Sequence, residues 1–241
     1  MDITKGLNKN QKEAVKTLSG PMLILAGAGS GKTKTLTHRI ANLIAHGVAS
    51  ETILAVTFTN KAAREMRERL ADLLNRDAND RFFMPWMGTF HGICVKILRL
   101  KGEAIGVAPN FVIYDEDDRR SLIKKIMKEL QIDEKSLKPQ SVSSAISNAK
   151  NQLLTAEEFA NGANWGFEQK VSEIFLRYEE ERNKANALDF DDLLFETVKL
   201  LQQNKEIREF WQNKFNHILI DEYQDTNAAQ YAIIKMIVNA E

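Results

Sequence analysis

Apolar and polar positions are arranged in blocks along this chain, and the blocks predict strands that alternate with helices. Pro21–Ala26 is short, apolar throughout and followed by a glycine-rich turn, which is typical of a buried parallel strand. A helix is predicted over residues 32–45. Ile53–Phe58 repeats the strand pattern, and Met66 and Leu70 then recur at helical spacing. Because strands and helices alternate, we expect an α/β fold with a parallel sheet.

The pattern changes after about residue 90. Strand-like runs nearly vanish between residues 91 and 202, and helical spacing of apolar residues dominates there. The strand pattern returns at His217–Asp221 and ends in an acidic residue. We therefore predict an inserted helical subdomain at 91–202 between two segments of one α/β domain, at 1–90 and 203–241.

Composition narrows the class of protein only slightly. The formal net charge is zero, since 33 lysine and arginine residues balance 33 aspartate and glutamate residues. A nucleic-acid site would therefore have to be a local patch. Cys94 is the single cysteine, which excludes an internal disulfide, and its apolar neighbours predict that it fills the core. No apolar run reaches the roughly 18 residues of a membrane span, and residues 1–10 do not resemble a signal peptide, so we expect a cytoplasmic protein.

Ala26–Thr33 has the composition and the position of a phosphate-binding loop. Small residues let backbone N–H groups close on phosphate oxygens, and the following helix directs its positive end at the same anion. Lys32 is placed to reach the β and γ phosphates, and the Thr33 hydroxyl to ligate Mg²⁺. A plain glycine-rich turn is the alternative, and the strict pattern is missed by one residue at Ala26. The predicted ATP-binding residues are Ala28, Gly29, Ser30, Gly31, Lys32, Thr33 and Lys34.

Two acidic residues follow the later strand. Asp221 comes directly after the apolar run Ile218–Ile220 and is the candidate for holding Mg²⁺. Glu222, one position later, is the candidate general base that polarises the attacking water, with Lys32 as the second catalytic residue. A solvated turn is the alternative interpretation, and the presence of a phosphate-binding loop favours the catalytic one.

Asp221–Asn227 is more specific than a pair of acids, and it resembles the second helicase motif of the UvrD/Rep/PcrA family of superfamily 1 DNA helicases. The resemblance covers the whole chain. It implies a RecA-like P-loop NTPase domain with an inserted helical subdomain, and the cofactors ATP and Mg²⁺. It also implies ATP-driven 3′ to 5′ movement along single-stranded DNA, unwinding at single-strand to double-strand junctions, and a role in DNA repair or replication.

Leu7–Gln11 resembles the Q motif of the same family, which implies that Gln11 reads the adenine edge. On its own Gln11 would be interpreted as a solvated residue at a helix start. Many family members carry arginine at the position of Lys34. Lysine keeps the charge but loses the planar fork, so we expect a different nucleotide affinity and the same class of reaction.

Thr57–Ala63 is similar to motif Ia of the family, which lines the groove for single-stranded DNA. Thr59, Asn60 and Lys61 lie where a strand ends and a helix begins, and they offer a hydroxyl, an amide and an ammonium to phosphate oxygens. Phe58 is placed to stack on a base. The structural alternative is an N-capped helix with Phe58 in the core.

Gly88–His91 resembles motif Ib, which implies that Thr89 and His91 contact the DNA backbone. Leu188–Leu194 resembles the family segment in which the chain leaves the helical insert. Its three carboxylates suggest a metal site, but apolar residues alternate with them, so we interpret Asp189 as a helix cap.

Some polar residues lack such a context and are interpreted as structural or solvated. His38, His46 and His217 are assigned structural roles. Arg64 and Arg67 are expected to form a solvated helix face with neighbouring glutamates.

The family resemblance also implies parts that lie beyond Glu241. They are the motif III segment and a second, C-terminal RecA-like domain with its arginine fingers, and that domain is the expected partner of this one. We therefore expect a DNA helicase parent whose first 241 residues do not unwind DNA alone. Two alternatives remain open, namely a nucleotide-binding module without turnover and the helicase subunit of a recombination nuclease.

Overall fold

A computed structural model describes residues 2–27, 29–164 and 166–238 of the 241-residue chain. These residues form two compact units. The first contains residues 2–93, 210–225 and 237–238, and the second contains residues 94–209 and 226–236. No helix within the described ranges is both long and apolar enough to cross a membrane.

The helices and strands are numbered in chain order. The helices are α1 (Lys9–Lys16), α2 (Lys32–Ala45), α3 (Asn60–Leu74), α4 (Phe90–Lys101), α5 (Glu116–Glu129), α6 (Pro139–Asn151), α7 (Ala156–Gly162), α8 (Phe167–Lys184), α9 (Phe190–Gln203), α10 (Lys205–Lys214) and α11 (Ala228–Ile237). The strands are β1 (Ile53–Thr57), β2 (Met87–Thr89), β3 (Val112–Ile113), β4 (Ala187–Leu188) and β5 (His217–Ile220).

The first unit is built on a three-stranded parallel sheet in the order β2–β1–β5. Every residue of β1 is buried, since the strand has a neighbour on both sides and apolar residues of α2 and α3 pack against the sheet. Apolar residues of α2 and α3 form one core cluster with the sheet, including Ile40, Ile53, Met66 and Leu70. The predicted mixed α/β class with a parallel sheet is confirmed.

Helix α2 covers the predicted range of residues 32–45. Its C-terminal end is fixed by Gly47, which has a φ of 89°, and by a hydrogen bond from the Val48 N–H to the Leu43 carbonyl at 3.1 Å. Glycine favours this left-handed conformation, which lets the chain turn back over the last carbonyls of a helix. The local sequence therefore sets the length of this helix.

The predicted strand at Pro21–Ala26 is wrong for this chain. The segment belongs to no strand, and Leu23 and Leu25 are 70% and 86% exposed. Apolar residues favour a buried strand only where a neighbouring strand satisfies their backbone groups and a packed layer covers their side chains. Among the described residues, this segment has no neighbouring strand, and no packed layer covers Leu23 and Leu25.

The second unit is mainly helical, and its two strands, β3 and β4, form a parallel pair of two residues each. Its core is an apolar cluster of α5, α6 and α8 with the segments beside them. Ile126, Val142, Ile146, Ile174 and Phe175 are members of it. Cys94 is also buried, as predicted, and burial raises the pKa of its thiol to about 12.

Charged side chains occupy the interior of the second unit. The Lys150 ammonium lies 2.6 Å from an Asp192 oxygen and 3.0 Å from an Asp189 oxygen, and all three side chains are at most 2% exposed. The Tyr178 hydroxyl donates to Asp189 at 2.8 Å. Arg182 lies 3.0 Å from Asp192. Each buried charge therefore has a partner of opposite sign, which burial requires.

Asp189 is the N-cap of α9, as predicted. Its side chain accepts from the Asp192 N–H, and the Asp192 side chain accepts in return from the Asp189 N–H, both at 2.8 Å. Burial opposes ionisation of Asp189, but Lys150 and Arg119 outweigh it and lower the pKa of this carboxyl. The carboxylates of this segment thus bind cationic side chains and cap a helix.

Replacing Lys150 by methionine should destabilise the protein strongly. The substitution leaves two buried carboxylates without their shared cation, and breaking a buried ion pair in this way costs about 3–5 kcal/mol. Lys125→Met is the matched control, because Lys125 pairs with Glu181 while its side chain is 57% exposed, and surface substitutions usually change stability by less than about 0.5 kcal/mol. Urea unfolding followed by circular dichroism measures both. Equal losses for the two variants would contradict the proposed importance of the network.

Candidate nucleotide-binding site

The parallel sheet brings three separate segments to one edge. Thr57 pairs in register with Thr89, and Val56 pairs with Ile220. The Asp221 N–H donates to the Val56 carbonyl at 2.9 Å. The residues that follow β1, β2 and β5 therefore all start at the carboxyl edge, which is where α/β sheets bind ligands.

The glycine-rich loop turns into α2 through two residues with left-handed backbone. Gly29 and Gly31 have φ angles of 72° and 87°, a region that glycine adopts without steric cost. The Ser30 hydroxyl donates to the Gly27 carbonyl at 2.6 Å and closes the turn. Because Gly31 is the N-cap, α2 starts without a capping side chain, and the first amides of such a helix suit an anion. Ala28, also predicted to bind nucleotide, lies outside the described residues.

Thr33 and Asp221 meet although 188 positions separate them. The Thr33 hydroxyl lies 3.2 Å from an Asp221 carboxylate oxygen. Burial raises the pKa of Asp221, and the hydrogen bond from Thr33 partly opposes this shift. A hydroxyl and a carboxylate are oxygen ligands of the kind that Mg²⁺ takes. No group of three or more His, Cys, Asp or Glu side chains that could hold a metal ion occurs in the described ranges. Mg²⁺ is usually bound by one or two carboxylates together with phosphate oxygens and water.

Lys32 and Glu222 form an ion pair at the mouth of the loop. Their Nζ and Oε2 atoms are 3.2 Å apart, and both side chains are partly exposed. The Gln224 side chain donates to the same Glu222 oxygen at 2.6 Å. Gln224 and Lys32 together lower the pKa of Glu222. In this arrangement the predicted general base is ionised and is held by the cation predicted to bind phosphate.

Two features around Glu222 were not predicted from sequence. Gln224 was not assigned a role, although an amide two positions after an acid is placed to contact it. Glu222 itself has a φ of 50°, a left-handed conformation that costs a non-glycine residue of order 1–3 kcal/mol. Such strain persists where the surrounding structure imposes it, and the carboxylate of this residue is paired with Lys32.

Gln11 lies against the glycine-rich loop. Its Nε2 donates to the Ser30 carbonyl at 3.0 Å, and its Oε1 accepts from the Asn8 N–H at 2.9 Å within a capping box at the start of α1. The Lys34 ammonium donates to the Gly6 carbonyl at 2.9 Å. Gln11 thus connects α1 with the glycine-rich loop, and Lys34 connects α2 with the segment that precedes α1.

The segment after β1 combines capping with exposed charge. The Thr59 hydroxyl accepts from the Ala62 N–H at 3.0 Å and caps α3. Phe58 is partly buried and meets the Phe90 ring edge-on at 5.7 Å. Asn60 is exposed, and the Lys61 side chain is 79% exposed beside Glu65. The cap and the partly packed phenylalanine fit the structural interpretation of this segment. The exposed Asn60 and Lys61 fit the interpretation as a DNA site, so the segment has features of both.

The segment after β2 is arranged in a similar way. The Thr89 hydroxyl accepts from the Gly92 N–H at 3.2 Å, so it satisfies an amide in the first turn of α4. His91 lies in that same turn and is partly buried. Since Thr57 and Thr89 are paired in register, the predicted DNA-contacting residues of the two segments lie side by side.

The prediction that Arg67 belongs to a solvated face is wrong. Its guanidinium donates to the carbonyls of Phe83 and Met84, the latter at 2.7 Å, and burial lowers its pKa. Arg64, in contrast, is exposed beside Glu68. Charge periodicity shows which helix face is polar, but only the fold shows that a loop covers part of that face.

Comparisons with known proteins show the family of this chain. A family model described as UvrD/REP helicase N-terminal domain matches residues 7–241. This chain belongs to the UvrD/REP helicase family. An ATP-dependent DNA helicase PcrA from Bacillus subtilis (strain 168) is 49% identical over 236 residues, which make up 98% of this chain and 31% of that relative.

Other relatives in the UvrD/REP family match over the same extent. The ATP-dependent DNA helicase PcrA of Leuconostoc citreum is 46% identical over 98% of this chain and 31% of its own length. The PcrA of Staphylococcus aureus (strain NCTC 8325 / PS 47) is 46% identical over 97% of this chain and 32% of its own length. The chain thus spans about a third of the length of these relatives.

Glu222→Gln should strengthen nucleotide binding. The substitution removes the carboxylate that holds Lys32 and a negative charge near the phosphates, and exposed ion pairs contribute up to about 1 kcal/mol, so we expect up to about a fivefold gain in affinity. Calorimetric titration with Mg-ADP measures it. Asp225→Asn removes a nearby exposed carboxylate that is not paired with Lys32 and should have a smaller effect. Weaker binding by Glu222→Gln would show that the ion pair does not compete with nucleotide.

Proposed function

We propose that this chain is the ATP-binding and single-stranded-DNA-binding part of a 3′ to 5′ ATP-dependent DNA helicase that acts in DNA repair or replication. One observation carries the proposal. Lys32 and Thr33, at the start of α2, meet Asp221 and Glu222, at the end of β5, within 3.2 Å in each pair. A loop for phosphates and acids for a metal and a water molecule thus converge in one place.

The nucleotide-binding residues have separate tasks in this proposal. The loop amides and Lys32 hold the phosphates, and Gln11 contacts the adenine. Thr33 and Asp221 would hold Mg²⁺, which supplies charge neutralisation on the phosphates when bound. Glu222 orients the attacking water once nucleotide has replaced it on Lys32.

Single-stranded DNA is the proposed polymer substrate. The residues proposed to bind the DNA follow the neighbouring strands β1 and β2, whose last residues, Thr57 and Thr89, are paired in register. Phe58 offers a partly exposed ring for stacking, and Lys61 offers an exposed cation. The chain has no net charge, so this local group would have to attract the DNA backbone. Single-strand to double-strand junctions are the proposed site of action.

We further propose the domain organisation expected from the family. A RecA-like domain would comprise residues 1–90 and 203–241, with a helical subdomain at 91–202 between them. The relatives are about three times as long as this chain, and their additional length would supply the second RecA-like domain. That domain is the proposed source of the arginine fingers, which contribute about 10³–10⁵ in rate to phosphoryl transfer.

The two alternative functions are not favoured. The curated relatives reported above carry the name ATP-dependent DNA helicase. This supports a helicase parent over a nucleotide-binding module and over a recombination-nuclease subunit.

Lys32→Met should weaken Mg-ATP binding. The variant keeps the length and helix propensity of the side chain but removes the ammonium, and a hydrogen bond to a charged group contributes about 1.5–3 kcal/mol, so we expect a loss of about ten- to a hundredfold. Lys16→Met, on the exposed surface of α1, is the control. Calorimetric titration compares the two. Wild-type affinity in Lys32→Met would refute the phosphate site.

Lys61→Ala should weaken binding of single-stranded DNA about equally on poly-dT and on mixed sequence. A contact to phosphate positions the strand without reading bases. Loss of this contact should reduce the slope of log affinity against log salt concentration by about 0.7. This is the contribution of counterion release from one phosphate of a single strand. Arg76→Ala, just beyond the other end of α3, should leave the slope unchanged. Fluorescence anisotropy at several salt concentrations provides the test, and an unchanged slope in Lys61→Ala would remove this residue from the DNA site.

A further inference from the structure

Polar side chains of α2 cap the C-terminal end of α1. The Asn42 amide donates to the Val15 carbonyl at 2.9 Å, and the Arg39 guanidinium donates to the Ala14 carbonyl at 2.7 Å and to the Thr17 carbonyl. The last carbonyls of a helix have no partners within it, and a cation there also interacts favourably with the helix dipole. Arg39 and Asn42 are both buried, so these bonds form away from solvent.

The same helix holds the residues that precede α1. Lys34 donates to the Gly6 carbonyl at 2.9 Å, and the His38 ring contacts the Ile3 carbonyl. Lys34, His38 and Asn42 are spaced by four positions, which places them on one face of α2. Residues 3–17, here called the N-terminal strap, are therefore bound through their backbone along this face.

The strap depends on α2 for its position. Helix α1 has 8 residues, and isolated helices shorter than about 12–15 residues are marginal in water. Within the strap, Gln11 touches the phosphate loop, since its Nε2 is 3.0 Å from the Ser30 carbonyl. A Cβ atom added to Gly31 would lie only 2.9 Å from the same Nε2. The strap thus places the Gln11 amide directly against the loop that starts α2.

We propose that Arg39 and Asn42 are positioning residues for the contact between Gln11 and the nucleotide base. The inference rests on the proposed function, in which the loop binds phosphates and Gln11 contacts the adenine. One helix carries the phosphate loop at its start and the strap along its side. Arg39 and Asn42 therefore fix the separation between the site for the base and the site for the phosphates. The side chains of Arg39 and Asn42 bind the C-terminal end of α1, whereas Gln11 lies at the start of this helix. They therefore act on the base only through the position of Gln11.

The experiment separates base recognition from phosphate recognition. Affinities for Mg-ATP and for Mg-tripolyphosphate are measured by calorimetry on the 241-residue chain, and their ratio reports the contribution of the nucleoside. Asn42→Leu removes the amide and keeps a similar volume. We expect it to lower the ratio by about three- to tenfold, which is the contribution of one hydrogen bond, and to leave tripolyphosphate affinity within about twofold.

A double variant tests whether Asn42 acts through Gln11. Gln11→Ala should lower the ratio by a similar factor, and Gln11→Ala combined with Asn42→Leu should lower it no further, since coupled residues are not additive. A role in general stability would instead reduce both affinities. Glu13→Gln, an exposed change on α1 outside these contacts, is the control and should preserve the ratio.

Several outcomes overturn the inference. One is an unchanged ratio in a folded Asn42→Leu protein, and another is a pair of losses that multiply in the double variant. If circular dichroism shows that Asn42→Leu is unfolded, Arg39→Lys replaces it under the same criteria, because lysine keeps the charge but cannot hold two carbonyls in one planar fork. Equal wild-type affinity for Mg-ATP and Mg-tripolyphosphate would refute the base contact while leaving the proposed phosphate site intact. Failure of wild type to bind tripolyphosphate refutes the proposed phosphate site itself.

Discussion

Parallel pairing of β1 with a strand on each side is the constraint on which the candidate site depends. In a parallel sheet all carboxyl ends lie at one edge, so the segments after β1, β2 and β5 start side by side. The hydrogen bond from Asp221 to Val56 fixes where β5 ends. Because α2 packs on the same sheet, Thr33 comes within 3.2 Å of Asp221. Thr33 and Asp221 are far apart in sequence, and the parallel pairing of β1 with β5 brings them into contact.

Helix α2 contacts the glycine-rich loop, the apolar core and the N-terminal strap of the first unit. The glycine-rich loop leads into the start of this helix through the left-handed turn at Gly31, and its apolar side contributes to the core. Its polar side binds backbone carbonyls of the N-terminal strap through Arg39 and Asn42. An amphipathic helix normally presents its polar side to water. Here part of that side is buried, and the buried polar groups find partners in backbone that would otherwise be unsatisfied.

The second unit places its charges inside its core. Lys150 is shared by Asp189 and Asp192, Tyr178 donates a hydrogen bond to Asp189, and Arg182 forms an ion pair with Asp192. Replacing a complete buried network by apolar residues is often neutral for stability, whereas removing one member is costly. The network joins α6, α8 and α9, since Lys150, Arg182 and Asp192 belong to these three helices. We interpret it as a determinant of which helices pack together rather than as a metal site.

The sequence by itself determined the features that depend on neighbouring residues. Helix α2, strands β1 and β5 and the cap at Asp189 follow from apolar spacing, glycine and short polar side chains, and those signals act within a few positions. Only the tertiary structure decided the rest. Pro21–Ala26 has the composition of a strand but lacks a neighbour, and Arg67 has the spacing of a solvated residue but lies under a loop. Burial and pairing of charge depend on segments that are distant in sequence, so a local pattern cannot specify them.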